Sequence, residues 1–295
     1  MEISRSRFLP LYILLCLIWG STWFVIRIGS DAGLPPFLGA AVRFAIALIF
    51  LWGWVLVKRI PLPKTTNEWR AVLLNGFLGS GISFSIVYWC SQFVPSGLEA
   101  VIFGTMPLWT IMLSHWIFGS DKLSKHKLGG VLLGIAGISV IFLPDVGAIP
   151  NSTLGWMALT LVAPFVSAVS LVFTKNYAMK VHPTALNAIS ISVGFVVLVI
   201  GSIFTSDFSQ LEARWEHWGT ILFLAIFGTV ITFSGYYHLL QRASAVTMSM
   251  ITLITPVVAV LSGWIVLNEE LHAHTLAGAA LVLVGVWLAI TDREA

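Results

Sequence analysis

Apolar positions in this chain come in long unbroken runs, with polar residues gathered in short segments between them. A hydrocarbon core about 30 Å thick requires roughly 20 mostly apolar residues per helix. Windows of that length predict ten helical spans: Phe8 to Ile28, Pro36 to Val57, Trp69 to Ser91, Gly97 to Phe118, Leu128 to Leu143, Thr153 to Thr174, Thr184 to Phe204, Trp218 to Leu240, Ala245 to Leu267 and Thr275 to Ile290. Barrel strands would show short segments of period two, and these runs are long and unalternated. The pattern predicts an all-α integral membrane protein. Arg5 and Arg7 precede the first run as in a signal peptide, but the run exceeds a usual h-region and "WGSTWFVIRIG" offers no small-residue cleavage site. It is read as a retained helix.

Composition agrees with the pattern. Of 295 residues, 58% are hydrophobic and 10% charged, with a mean hydropathy of +0.93, whereas a soluble domain carries about 25% charged residues. With a cytoplasmic N-terminus, thirteen basic residues fall on inner segments (Arg5, Arg7, Lys58, Arg59, Lys64, Arg70, Lys122, Lys125, Lys127, Lys175, Lys180, Arg242 and Arg293) and two, Arg27 and Arg214, fall outside. This asymmetry predicts both termini on the cytoplasmic side of the cell (inner) membrane. The pI near 9.0 then follows from topology, and nucleic acid is not an expected partner. Cys16 and Cys90 both lie within spans and form no metal pattern. No GxxxxGK[ST] loop, HExxH motif or paired intramembrane aspartates occur, so neither direct ATP drive nor an intramembrane enzyme is expected, and no cofactor or metal is called for.

The chain also matches itself at an offset of 149 residues. That offset aligns Trp69 with Trp218, Gly79 with Gly228, Phe84 with Phe233, Ser85 with Ser234, Tyr88 with Tyr237, Gln92 with Gln241 and Pro107 with Pro256. Five spans per half is an odd number, so the halves 1–148 and 149–295 are expected as inverted repeats. Interruptions at corresponding positions of two such repeats point to a transporter's central site. Pro107 and Pro256 would free the carbonyls of Phe103 and Thr252 at mid-membrane, and hydroxyls such as Thr105 and Thr255 could satisfy the local backbone.

"WGSTWFVIRIG" in the first span, "GAAVRFAIALIF" in the second, "VPSGLEAVIFGTMPLWTIMLSHWIFGSDKLSKHKLGGVLLGIAGISVIF" across four and five, and "ASAVTMSMITLITPVVAVLSGWIVLNEELHAHTLAGAALVLVGVWL" across nine and ten are the motifs by which the chain resembles the EamA-type carriers of the drug/metabolite transporter superfamily. The resemblance implies ten helices as two inverted five-helix repeats, around a cavity lined mainly by spans one, three, four, six, eight and nine. It implies movement of small organic molecules, often outward, with amino acids (aromatic ones included) as the leading class. The first repeat has "FGSDKLS" where the second has "LNEELHA", so any role of that acidic turn rests on Glu269 and Glu270 alone.

Candidate cavity residues follow. Phe84, Tyr88 and Gln92 share one helical face, repeated by Phe233, Tyr237 and Gln241. Aromatic bodies with polar tips suit an amphipathic solute, and span-end anchoring or packing is the alternative. Trp19 and Thr22 of "WGST" and Thr252 with Thr255 add hydroxyls that serve a cavity or a helix interface equally. Gly130 and Gly134 form a GxxxG pair, read first as packing within the chain and second as a dimer face, so monomer and homodimer both stay open. Trp69, Trp116 and Trp218 read as interfacial belt residues. Two charges, Arg43 and Glu99, lie inside apolar spans. At ~1.5 Å per residue they fall about 10 Å and about 3 Å below the outer ends of their helices, so the expectation is an Arg43–Glu99 pair. The rival is that Arg43 meets an anionic group of the substrate.

Overall fold

A computed structural model describes residues 5–94, 96–119, 124–142, 151–205, 214–267 and 272–291. Its helices are α1 (Arg5–Asp31), α2 (Pro36–Val57), α3 (Thr66–Cys90), α4 (Ser96–Phe103 and Met106–Leu113, extended by Ser114–Phe118), α5 (Lys125–Phe142), α6 (Asn151–Thr160 and Val162–Tyr177), α7 (Pro183–Thr205), α8 (Trp215–Leu240), α9 (Ala245–Ser249 and Ile251–Leu267) and α10 (Ala273–Thr291). There is no strand among the described residues. Among the described residues seven helices are long and apolar enough to cross a membrane, and Phe8–Thr22, Ala245–Val258 and Ala273–Ala289 are shorter apolar helices. An all-helical architecture is what lipid requires, because no water is present there to satisfy free backbone groups. Large apolar side chains such as Ile49, Leu56, Trp116 and Phe204 stand exposed around the outside, which suits a surface wetted by lipid. Trp69, Trp116 and Trp218 are among the exposed side chains, consistent with the belt reading.

Glycine lets two helices approach closely. A Cβ on Gly137 would come within 2.6 Å of the Gly278 carbonyl oxygen, and one on Gly130 within 2.5 Å of that of Gly285. Helices α5 and α10 therefore meet backbone to backbone. A Cβ on Gly134 would strike Leu253 of α9, so the GxxxG pair is used inside the chain.

Among the described residues three helices widen where the sequence predicted regular α-structure, α4 over Ser114–Phe118 and two others at corresponding places. Asn75–Ser83 in α3 and Ile226–Ile231 in α8 are π-helical, and under the 149-residue offset these stretches overlap. Widened turns leave backbone groups available, which is why they cluster at functional sites. Here Thr229 Oγ1 donates to the Leu224 carbonyl at 3.0 Å, and Thr232 Oγ1 donates to that of Phe227. Both bonds span five residues.

The two prolines are accommodated differently. The first piece of α4 ends at Phe103, a turn occupies Gly104 and Thr105, and Pro107 stands in the first turn of the second piece. In that position its missing N–H needs no partner, and the cost of a mid-helix proline does not arise. In α9 the break falls at Met250 instead, and Pro256 sits inside the following helix. Hydroxyls supply partners at both places: Thr105 Oγ1 donates to the Ile102 carbonyl at 2.7 Å and Thr255 Oγ1 to that of Thr252 at 3.4 Å. Thr252 thus behaves as expected, while Ile102 takes the bond expected at Phe103. The acidic turn at Glu269 and Glu270, and the proposed boundary at 148, lie outside the described residues.

Candidate functional site

The helices surround a cavity of about 190 Å³. Side chains of α1, α3, α4, α6, α8 and α9 line it, and α2 adds Arg43. Four rings form a row along it: Tyr88 to Phe84 (centroids 6.2 Å apart), Phe84 to Phe233 (6.1 Å) and Phe233 to Tyr237 (6.1 Å). The order follows from sequence, since each helix places its Phe and Tyr one turn apart on the same face. Trp19 closes against Phe233 edge to face at 5.1 Å.

Each end of the row has its own polar group. At Tyr88, Arg43 Nη1 donates to the phenol oxygen at 2.9 Å, Nε to Thr229 Oγ1 at 2.8 Å and Nη2 to the Gly228 carbonyl at 3.1 Å. That carbonyl lies in the π-helical stretch of α8. The guanidinium also stands 5.5 Å from the Phe84 ring centroid and 5.8 Å from that of Phe44, near enough for cation–π attraction. At Tyr237, Asn75 Nδ2 donates to the phenol oxygen at 2.7 Å and to Ser190 Oγ at 2.8 Å, and Ser170 Oγ donates to Asn75 Oδ1 at 2.6 Å. The paired glycines make room for both groups. A Cβ on Gly228 would lie 3.2 Å from Arg43 Nη2, and one on Gly79 would lie 2.8 Å from Ser170 Oγ and 3.3 Å from Asn75 Oδ1.

Of the residues singled out from sequence, Trp19, Thr22, Arg43, Phe84, Tyr88, Phe233, Tyr237, Thr252 and Thr255 line this cavity. Thr22 and Thr252 donate their hydroxyl protons to backbone carbonyls of their own helices, at Trp19 and Ser249. Gln92, Gln241, Pro107, Pro256 and Glu99 do not line it. Gln92 lies beyond the end of α3, exposed, with its amide turned back to the Trp89 carbonyl. Gln241 caps α8 and donates to the carbonyls of Met179 and Val181. In both, the helix ends before the third member of the triplet can point inward.

The expected Arg43–Glu99 pair does not form. Arg43 directs its bonds to Tyr88, Thr229 and Gly228, and Glu99 is buried with Oε1 lacking a hydrogen-bond partner. Their depths permit contact, but their neighbours separate them sideways. Helix α2 packs on α7, while the first piece of α4 packs on α5 and α6. Sequence reasoning missed Asn75, Ser170 and Ser190. An amide inside the apolar run "AVLLNGFLGSG" was the available signal for the first, since a polar group at depth requires partners.

The EamA-like transporter family matches the chain twice, over residues 8–143 and 154–291. The chain belongs to the EamA-like transporter family. Similar proteins include the "Uncharacterized inner membrane transporter YedA" of Escherichia coli (strain K12), 31% identical over 286 residues, which cover 95% of this chain and 89% of the relative. Another is the "Uncharacterized transporter YoaV" of Bacillus subtilis (strain 168), 26% identical over 272 residues and 92% of each chain. A protein crystal structure matches with a TM-score of 0.80 over 97% of both chains at 17% identity, and shows a shared fold. This EamA-family chain is thus a multi-pass membrane protein from a family of transporters.

Proposed function

We propose that this EamA-family protein is a secondary carrier that moves small organic metabolites across the cytoplasmic membrane by alternating access. The observation that carries the reading is the aromatic-walled cavity with a different polar group at each end, built from helices of both halves. Its volume of about 190 Å³ lies below the roughly 300–1,000 Å³ of drug-sized pockets, which favours metabolites over larger drugs. Amino acids, aromatic ones included, or related compounds are the leading cargo, moved outward. The architecture proposed is ten transmembrane helices in two inverted repeats, 1–148 and 149–295, with both termini cytoplasmic. Breaks in α4 and α9 beside the cavity support a moving site, since interrupted helices at the centre are what carriers use. The carrier is proposed to act as a monomer or a homodimer.

Purified protein in proteoliposomes should show saturable counterflow: preloaded unlabelled solute accelerates uptake of labelled solute. Non-saturable flux without counterflow sinks the carrier reading in favour of a channel-like facilitator. A metabolite screen in overproducing cells supplies the candidate solutes, and a reporter fused after Ala295 that reads the outer side would overturn the topology.

A further inference from the structure

The cavity carries one unbalanced charge. Among its described lining residues Arg43 is the single charged side chain, and no Asp, Glu or His lines it. Arg43 is 2% exposed, and its partners are a phenol, a hydroxyl and a carbonyl, all neutral acceptors. A guanidinium stays protonated under any ordinary condition and has five N–H groups. Three are used here, which leaves one N–H on each terminal nitrogen. A charge at this depth in a membrane protein usually pairs with an opposite charge. Here Arg43 lines the cavity and its three acceptors are neutral.

We infer that Arg43 is the recognition point for the carboxylate of a small, net monoanionic solute whose apolar body lies along Phe84, Phe233 and Trp19. The two remaining N–H groups, one on each terminal nitrogen, match in number the two oxygens of a carboxylate. One fixed positive charge matches one negative charge, and a phosphate dianion would leave charge unbalanced. The far end of the row offers hydroxyls and an amide, and no carboxylate among the described lining residues, so an ammonium group finds no counter-charge among them. Within the proposed cargo of amino acids and related compounds, a deaminated acid therefore fits better than the corresponding amino acid. This deepens the carrier reading and rests on it for the ligand being cargo.

Four compounds with one phenylalkyl skeleton test the inference on the unmodified protein: 3-phenylpropanoate, phenylalanine, 3-phenylpropanamide and 3-phenylpropylamine. Binding is read by thermal stabilisation in detergent, and transport by counterflow in proteoliposomes. The expected order is 3-phenylpropanoate at least tenfold tighter than phenylalanine and the amide, with the amine weakest. Arg43→Gln should bring propanoate and amide to equal affinity, and Arg43→Lys should keep part of the preference because the charge remains. Equal binding of propanoate and amide by the unmodified protein, preference for the amine, or binding of none of the four overturns the inference whatever the variants do. Charge-selective binding without counterflow leaves the Arg43 assignment standing and removes the carrier reading. Counterflow that prefers the neutral or cationic compound does the reverse.

Discussion

The Tyr88 end and the Tyr237 end of the cavity begin from the same residues and finish with different chemistry. Both carry Phe and Tyr one turn apart, a π-helical stretch, and a glycine that opens space for a polar side chain. Yet Tyr88 accepts from a cation and Tyr237 from a neutral amide. The partners also come from positions that do not correspond. Under the 149-residue offset, Arg43 aligns with Ser192, which instead accepts from Trp52 Nε1, and Asn75 aligns with Leu224. The two ends share the aromatic frame, and side chains on neighbouring helices make only one of them positive. A symmetric frame with asymmetric ends can hold a solute in one orientation.

The largest test of this difference exchanges charge for neutrality. Arg43→Gln should lower counterflow of carboxylates on the order of 10- to 100-fold, since hydrogen bonds to charged groups contribute about 1.5–3 kcal/mol. Asn75→Ala should weaken carboxylate and amide alike, and equal selectivity losses in the two variants would erase the distinction between the ends. Next come the glycines. Gly79→Ala places a methyl 2.8 Å from Ser170 Oγ, and Gly228→Ala places one 3.0 Å from Thr22 Cγ2. Overpacking of this kind costs ~1–3 kcal/mol. The thermal midpoint in detergent should fall for both, further for Gly79→Ala, and a reversed order would mean that the Arg43 end is the tighter one.

A smaller effect is expected from the hydroxyls. Tyr88→Phe and Tyr237→Phe each remove a bond of about 0.5–1.5 kcal/mol. Only Tyr88→Phe should change the carboxylate-to-amide ratio, because it alone touches the guanidinium. The smallest effect is at Pro107. In the first turn of its helix, Pro107→Ala should leave flux and membrane abundance nearly unchanged. Pro256→Ala restores an N–H inside α9 and should slow flux measurably at equal abundance, as read by immunoblot. Equal slowing in both variants would show that the two prolines share a role despite their different settings.

How far the site could be read from sequence depended on helical continuity. Phe84 with Tyr88 and Phe233 with Tyr237 were legible because one turn of regular helix fixes their common face. Extending that face to Gln92 and Gln241 failed, since both positions lie past the last helical turn, where an amide finds nearer carbonyls. The π-helical stretches were not legible, because an i to i−5 bond differs from an i to i−4 bond by little in local preference. In α8 the carbonyls of Gly228, Leu224 and Phe227 accept from Arg43, Thr229 and Thr232, contacts that local sequence preference does not reveal.

The sequence by itself determined that this is a helical membrane protein whose residues match one another at an offset of 149, because hydropathy and identity at an offset are properties of the chain alone. It also determined that Arg43 and Glu99 were charges at depth in need of an explanation. Only the tertiary structure decided that they do not meet, because depth along a helix is a one-dimensional measure and says nothing about which helices are neighbours. Packing of α2 against α7 turned Arg43 towards Tyr88, Thr229 and the cavity, while Glu99 lies on a piece of α4 held between α5 and α6. The same packing brought Asn75, Ser170 and Ser190 together from three helices.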